Sequence, residues 1–297
     1  MVELGNLTVL DGAQIAARRS AHFERVRAWT GPQRERSRRG EKHPVWDFLF
    51  AYYAFRASWL ERWHPGPDVL LMGEAAQEFL RWPAYHARDG GVELNLADLP
   101  EPRRTFIAWL RQLLEGIQAR PAFFACHGLH EWAMVYRQPA EDVRHARYPL
   151  RLAPDALAQV VEALPLRCTH FDAFRFFTAA ARPLNRLQPD RAAAAELEQR
   201  GCLHANMDLY KWAFKLAPYA PGELIADAFA FARDIREVDM RASPYDFSAL
   251  GFAPIPIETP AGREAYERAQ REFERRAAPL RERLIALCRR LLRGDAP

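Results

Sequence analysis

The sequence predicts a mainly α-helical protein: a single globular multi-helix domain over 1–297, with an aromatic-rich central pocket and a short β-hairpin near 69–96. Three observations carry that expectation. Apolar residues recur at helical spacing in several long segments, Pro and Gly punctuate the joints between them, and only around 69–96 do short apolar runs flank a tight turn. With 49% hydrophobic residues in 297, the chain can bury a substantial core. No repeat of fixed period is visible, which argues against a solenoid.

In chain order, 1–42 reads as a charged N-terminal helix, AQIAARRSAHFERVRAWT, ending in the Arg-rich run GPQRERSRRGEK, a solvated surface or an arm able to meet a polyanion. The pocket-bearing core, 43–250, opens with HPVWDFLFAYYAFRASWLERWHPG, whose apolar residues cover more than one helical face. This predicts one buried helix, opened by Pro44 and closed at His64-Pro65-Gly66. VLLMG and GVELNL around Asp89-Gly90-Gly91 predict paired strands. EPRRTFIAWLRQLLEGIQAR predicts an amphipathic helix with Phe106, Trp109, Leu110, Leu113, Leu114 and Ile117 on its apolar face. The connector RHARYPLRLAPDAL leads into a helix at ALAQVVEAL, and ELIADAFAFARDIREVDMRAS is a further amphipathic helix. DMRASPYD, with Asp239, Arg241, Ser243, Tyr245 and Asp246, reads as a polar, turn-rich lid or cap, and 260–297 as a long C-terminal helix with Pro279 inside it.

Composition narrows the function classes. Apolar runs are broken by charge well short of the ~20 residues of a bilayer span, and MVELGNLTVLDG lacks a signal-peptide pattern, so a cytoplasmic protein with no membrane partner is expected. Cys126, Cys168, Cys202 and Cys288 form no CxxC pair and read as reduced thiols. The net charge of +4 is compatible with a phosphate-bearing partner, although arginine supplies nearly all of the 42 basic residues and looks like a coding bias. No GxSxG, GxxxxGK[ST] or GxGxxG occurs, which leaves no nucleophile elbow and no nucleotide cofactor of the usual kinds.

The chemistry concentrates between Leu166 and Leu216. There His170, Asp172 and Arg175 stand among Phe171, Phe174, Phe176 and Phe177, and His204, Asn206, Asp208 and Lys211 among Tyr210, Trp212 and Phe214. Ionisable groups among rings are costly unless paired or useful. A second cluster holds His127, His130, Glu131 and Trp132. Base excision needs an ionised carboxylate to stabilise oxocarbenium-like charge, plus an aromatic pocket for an extruded base. Asp172 or Asp208, with His170 and His204, could be the catalytic set. Asn206, His127, His130 and Glu131 could read the base, Trp132, Phe174, Tyr210 and Trp212 could stack on it, and Arg175 and Lys211 could meet phosphate. Alternatively, His43 with Asp47 and His204 with Asp208 stand four apart, on one helical face each. Together with His127 and His130 they could bind iron or zinc. Carboxylates that merely orient core imidazoles explain the same spacing.

The blocks HPVWDFLFAYY, RWHPG, GLHEWAMVYR, THFDAFRFF with ARPLNRLQP, GCLHANMDLYKWAFKL and DMRASPYD resemble, over nearly the whole chain, a group of bacterial proteins known as 3-methyladenine DNA glycosylases. The resemblance implies a DNA N-glycosylase that hydrolyses the N-glycosidic bond of an alkylated or otherwise modified base, in DNA repair or anti-phage defence, with DNA as partner. It assigns no catalytic residue. The leading expectation is therefore a carboxylate-assisted glycosylase without a cofactor. The rivals are a helical His/carboxylate metalloenzyme, either an iron oxygenase or a metal-dependent hydrolase, and a non-enzymatic protein that binds a small molecule or nucleic acid.

Overall fold

A computed structural model describes residues 7–139, 143 and 147–294, and within them 56% of the chain is helical. The first six residues of the N-terminal stretch, the start of the 144–157 connector and the last three residues of the C-terminal segment lie outside the described residues. In order, the elements are β1 (Thr8–Leu10), α1 (Gly12–Arg38), α2 (Phe48–Tyr52), α3 (Ala57–Leu60), β2 (Val69–Met72), α4 (Glu74–Gln77), β3 (Tyr85–Arg88), β4 (Gly91–Leu94) and α5 (Glu101–Ala119). They continue with α6 (Leu129–Ala133), α7 (Pro154–Ala163), α8 (Phe171–Phe174), α9 (Ala194–Leu197), α10 (Leu203–Lys215), α11 (Gly222–Arg241) and α12 (Pro260–Arg293). The chain forms two compact units, the first from 1–112, 209–231 and 280–297, the second from 113–208 and 232–279. No described helix is long and apolar enough to cross a membrane.

In the first unit a four-stranded sheet runs in the order β1-β2-β4-β3, with β1 parallel to β2 and the other pairs antiparallel. The expected pairing of VLLM with GVEL is present, with Leu71 opposite Val92. Asp89 and Gly90, at φ 47° and 79°, make the two-residue turn between β3 and β4, where both central positions take the left-handed conformation that suits a twisted hairpin. Gly91 must stay a glycine for another reason: a Cβ there would lie 2.6 Å from the Leu71 carbonyl oxygen of the neighbouring strand.

α1 begins with a reciprocal capping box, in which Gln14 N donates to Asp11 Oδ1 and Asp11 N to Gln14 Oε1, satisfying two end donors at once. Its buried stripe is Ile15, His22, Val26 and Thr30. The helix runs on through Pro32 and takes in the Arg-rich run as far as Arg38. Two of those arginines are committed within the unit, since Arg36 Nε donates to Asp47 Oδ2 at 2.9 Å and Arg34 pairs with Glu61.

The single buried helix expected after His43 is instead two short helices, α2 and α3. Ala54 adopts φ 54° and Arg56 is extended, which breaks the helical path, while rings of 48–59 pack on one another and on Tyr210, Phe214 and Phe229. α5 follows its pattern more closely, with Leu110, Leu113, Leu114 and Ile117 buried, but Trp109 is exposed.

In the second unit α7 buries Leu157 and Val161, and Leu150 bridges Tyr245. Arg151 fastens that corner by donating to the Ser243 carbonyl and to Glu258.

His64, in the first unit, is 5% exposed, stacks on Tyr85 and shares a 3.0 Å contact between Nδ1 and the Tyr85 hydroxyl. Burial, then the positive charge of Arg62, pushes it down to about 4 from the ordinary 6.5. The folded state therefore favours the neutral ring. Its contribution to stability is complete above pH 6.5 and is lost as the pH falls toward 4, by about 3 kcal/mol at most. Urea unfolding across that range should show a shallower decline for His64→Gln than for the natural protein. Parallel declines would show that His64 does not titrate on unfolding.

Candidate metal centre

The second unit gathers its polar side chains by local devices that a helical pattern does not reveal. His127 and Gly128 take consecutive left-handed conformations, φ 46° and 71°, and reverse the chain into the single turn of α6. Gly128 lies against the Tyr266 ring, 3.2 Å from where a Cβ would stand. All five residues of α6 are buried. Trp132 anchors it, with Nε1 donating to the Ala242 carbonyl at 2.9 Å and the Arg151 guanidinium over its ring. His170 is placed by an amide clip: Asn185 accepts from Cys168 N at 2.7 Å and donates to Cys168 O at 3.0 Å. His204 and Asp208 come from α10, and Arg236 and Asp239 from the C-terminal part of α11.

These elements converge on a buried cluster. His130 Nε2 and Asp239 Oδ1 are 2.8 Å apart. The rings of His130 and His204 meet edge to face with centroids 4.3 Å apart, and those of His204 and His170 stack at 5.4 Å. One ligand atom from each of His130, His204 and Asp239 lies within 4.8 Å of the others. Donor atoms around a first-row metal ion, at 2.0–2.2 Å from it, stand roughly 3–3.5 Å apart, so an ion here would have to replace the His130–Asp239 hydrogen bond and draw His204 closer. Beside it, His170 Nε2 lies 3.3 Å from Asp208 Oδ2 and 3.6 Å from Glu198 Oε1.

A buried arginine organises the carboxylates. Arg236, 1% exposed, donates from Nη1 to Asp239 Oδ2 and to Glu131 Oε1, each at 2.9 Å. Burial alone would raise Asp239, but the charge and hydrogen bond of His130, then His204 and Arg236, outweigh it and hold the carboxyl well below its usual range. Burial, then the neighbouring His130, drives His204 well below the ordinary imidazole value, which is the neutral form that ligates metals.

His130 and His204 line a narrow cavity together with Cys126, Cys168, Cys202 and Thr169. Its free space is about 20 Å³, which accommodates roughly one water-sized species. Its thiols are not poised nucleophiles. Burial pushes Cys168 up to about 12 and raises Cys126 and Cys202 as well, so they stay protonated at neutral pH.

Of the residues singled out from the sequence, His130, Glu131, His170, His204 and Asp208 come together here. Asn206 is buried beside them in α10, with Nδ2 donating to the Arg200 carbonyl, and His127 is half-buried at the turn before α6. Phe174 and Trp132 are core, Phe174 tilted against Phe177 at 5.1 Å. Asp172 and Arg175 lie toward solvent and pair with each other. Tyr210, Lys211 and Trp212 belong to the first unit. There Tyr210 is buried among Tyr53, Phe55, Phe214 and Phe229, and Lys211 lies over the Trp212 ring at 4.2 Å. His43 and Asp47 also lie in that unit and serve the backbone, His43 Nδ1 accepting from Val45 N and Trp46 N while Asp47 Oδ2 accepts from His43 N. Asp239, Arg236 and Glu198 were not among the expected site residues, and Asp239 lies within α11 rather than in a polar loop.

Arg236→Met should destabilise the protein by about 3–5 kcal/mol in urea unfolding, because it leaves two buried carboxylates without their guanidinium. A loss below about 1 kcal/mol, the range of surface ion pairs, would mean that this network does not anchor the site. No family model matches the chain, and no curated protein or solved structure matches it either, so the functional reading rests on these residues and their geometry.

Proposed function

We propose that the protein is a metal-dependent hydrolase whose ion is held by His130, His204 and Asp239. The observation that carries this is the mutual approach of their three ligand atoms inside a buried site. Two imidazoles and one carboxylate are a donor set for zinc or iron that leaves positions open for water and substrate. A bound ion there would supply Lewis acidity and lower the pKa of a coordinated water.

The chain's own groups complete the arrangement. Arg236 holds the second oxygen of Asp239 and so fixes the orientation of a ligand, a role on which metal affinity commonly depends. His170, backed by Asp208 and stacked on His204, is the group placed to accept or return a proton. The cavity beside the histidines has room for about one water, so a substrate of either kind reaches the cluster only if the site opens. Asp172, partly exposed and already paired with Arg175, is a poor candidate for stabilising a sugar cation.

Base excision remains the second reading, favoured by the full burial of Asp208 against His170. In it Asp208 is the carboxylate and no metal takes part.

Cobalt(II) titration separates the two. The metal-stripped protein should develop visible d–d absorption that saturates at about one equivalent. His204→Ala and Asp239→Asn should each abolish that band while far-ultraviolet circular dichroism stays unchanged. A band that persists in both variants would remove these residues as ligands. If the natural protein shows no band, yet releases bases from alkylated DNA and loses that activity in Asp208→Asn, the glycosylase reading is the correct one.

A further inference from the structure

The first unit contains a second cavity whose chemistry is unlike that of the metal centre. It encloses about 580 Å³, within the usual range for small-molecule sites. Its walls are Phe55, Trp59, Phe106 and Phe214, and its cations are Arg56, Arg103 and Lys215. Among the described residues no acidic one lines it.

Three of the rings are aligned in parallel. Phe55 and Phe214 stack with centroids 4.0 Å apart and planes within 9°, and Trp59 lies parallel to Phe214, also within 9°, at 6.4 Å. Trp59 is 48% exposed, with the Arg62 guanidinium over its ring at 4.9 Å. The cations are arranged at the same mouth. Arg103 is pinned there by donating from Nη1 to the Lys215 carbonyl at 2.6 Å, and Arg56 is exposed with no ion-pair partner among the described residues. Positive charge accumulates around it: Arg62, lowered first by burial, is lowered further by Arg81 and Arg56.

A backbone feature points the same way. Ala54, which lines the cavity, holds φ 54°. A non-glycine residue in that region is held at a cost, and such positions cluster at ligand clamps. Here the left-handed residue ends α2 and turns Phe55 and Arg56 into the cavity wall.

We propose that this cavity binds a nucleotide, with the base stacked on the half-exposed Trp59 ring beside Phe55 and Phe214 and the phosphate met by Arg56, Arg103 and Lys215. Every base has a face that stacks on aromatic rings, and guanidinium groups suit phosphate oxygens. A stacking site with separate cations needs none of the glycine-rich cradles that the sequence lacks. The same chemistry is presented by a free nucleotide and by one unit of a single strand.

Isothermal titration with adenosine 5′-monophosphate, adenosine, inorganic phosphate, benzoate and a short single-stranded oligodeoxyadenylate tests the proposal. Adenosine 5′-monophosphate or the oligonucleotide should bind saturably and more tightly than adenosine, phosphate or benzoate. Trp59→Ala and Arg56→Ala should each weaken that binding about ten-fold, and both positions are exposed enough for the fold to be retained. Tighter binding of the oligonucleotide that weakens steeply with salt identifies the strand as the source, and preference for the monophosphate identifies the free nucleotide. Equal affinity for benzoate, absence of saturable binding to either nucleotide probe, or binding unchanged in both variants overturns the proposal. None of these readouts involves the histidine cluster.

Discussion

Asp239 is shut away from solvent near the end of α11, and each of its oxygens meets a different group: Oδ1 faces His130 and Oδ2 accepts from Arg236. The same guanidinium nitrogen also reaches Glu131, the neighbour of His130 in α6. Two adjacent residues of a five-residue helix are thereby tied to two residues one turn apart on a long helix. Removing Arg236 strands two carboxylates in a dry interior, where the penalty is several kcal/mol. The network therefore does more than place His130. It makes the alternative positions of α6 expensive, and so holds a histidine carried by a very short helix as firmly as one carried by a long one.

His204 depends on that arrangement less directly. It comes from α10, and its imidazole is caught between the edge of His130 and the face of His170, with Asp208 backing His170 from the same helix. The i,i+4 spacing of His204 and Asp208 had two readings in the sequence, a chelating pair or a carboxylate orienting an imidazole. In the fold the pair splits: His204 turns to His130 and Asp239, while Asp208 serves His170. Asp208 thus backs an imidazole, His170, other than the one four residues before it, and the ligand role proposed for His204 is shared with His130 and Asp239 rather than with Asp208.

The helical regions were legible because their apolar stripes are periodic, as in α5, α7, α11 and α12. The stretch after His43 was not, because its composition suits a buried helix and nothing in it announces that Ala54 will turn left-handed. The site was half legible. His130, His170, His204 and Asp208 stood out as ionisable groups among rings, but Asp239 was read with the loop that follows it. A signal was present: Ala228, Ala232, Ile235 and Asp239 fall on one face of α11, all buried, so Asp239 is an acid on an apolar stripe, with Arg236 three residues before it. Asn185, which positions Cys168 and His170 through the backbone, carries no comparable signal. Tyr210 and Trp212, close in sequence to His204 and Asp208, fall in the other compact unit, which nothing in the local sequence announces.

The metal centre is the claim on which the catalytic reading stands. The most direct test is the metal content of freshly purified, untagged protein by elemental mass spectrometry. The account predicts about one equivalent of zinc or iron per chain. Protein that contains no metal, and that stays empty after dialysis against zinc and against iron(II) under anaerobic conditions, would contradict it and leave the histidine cluster as a hydrogen-bonded core.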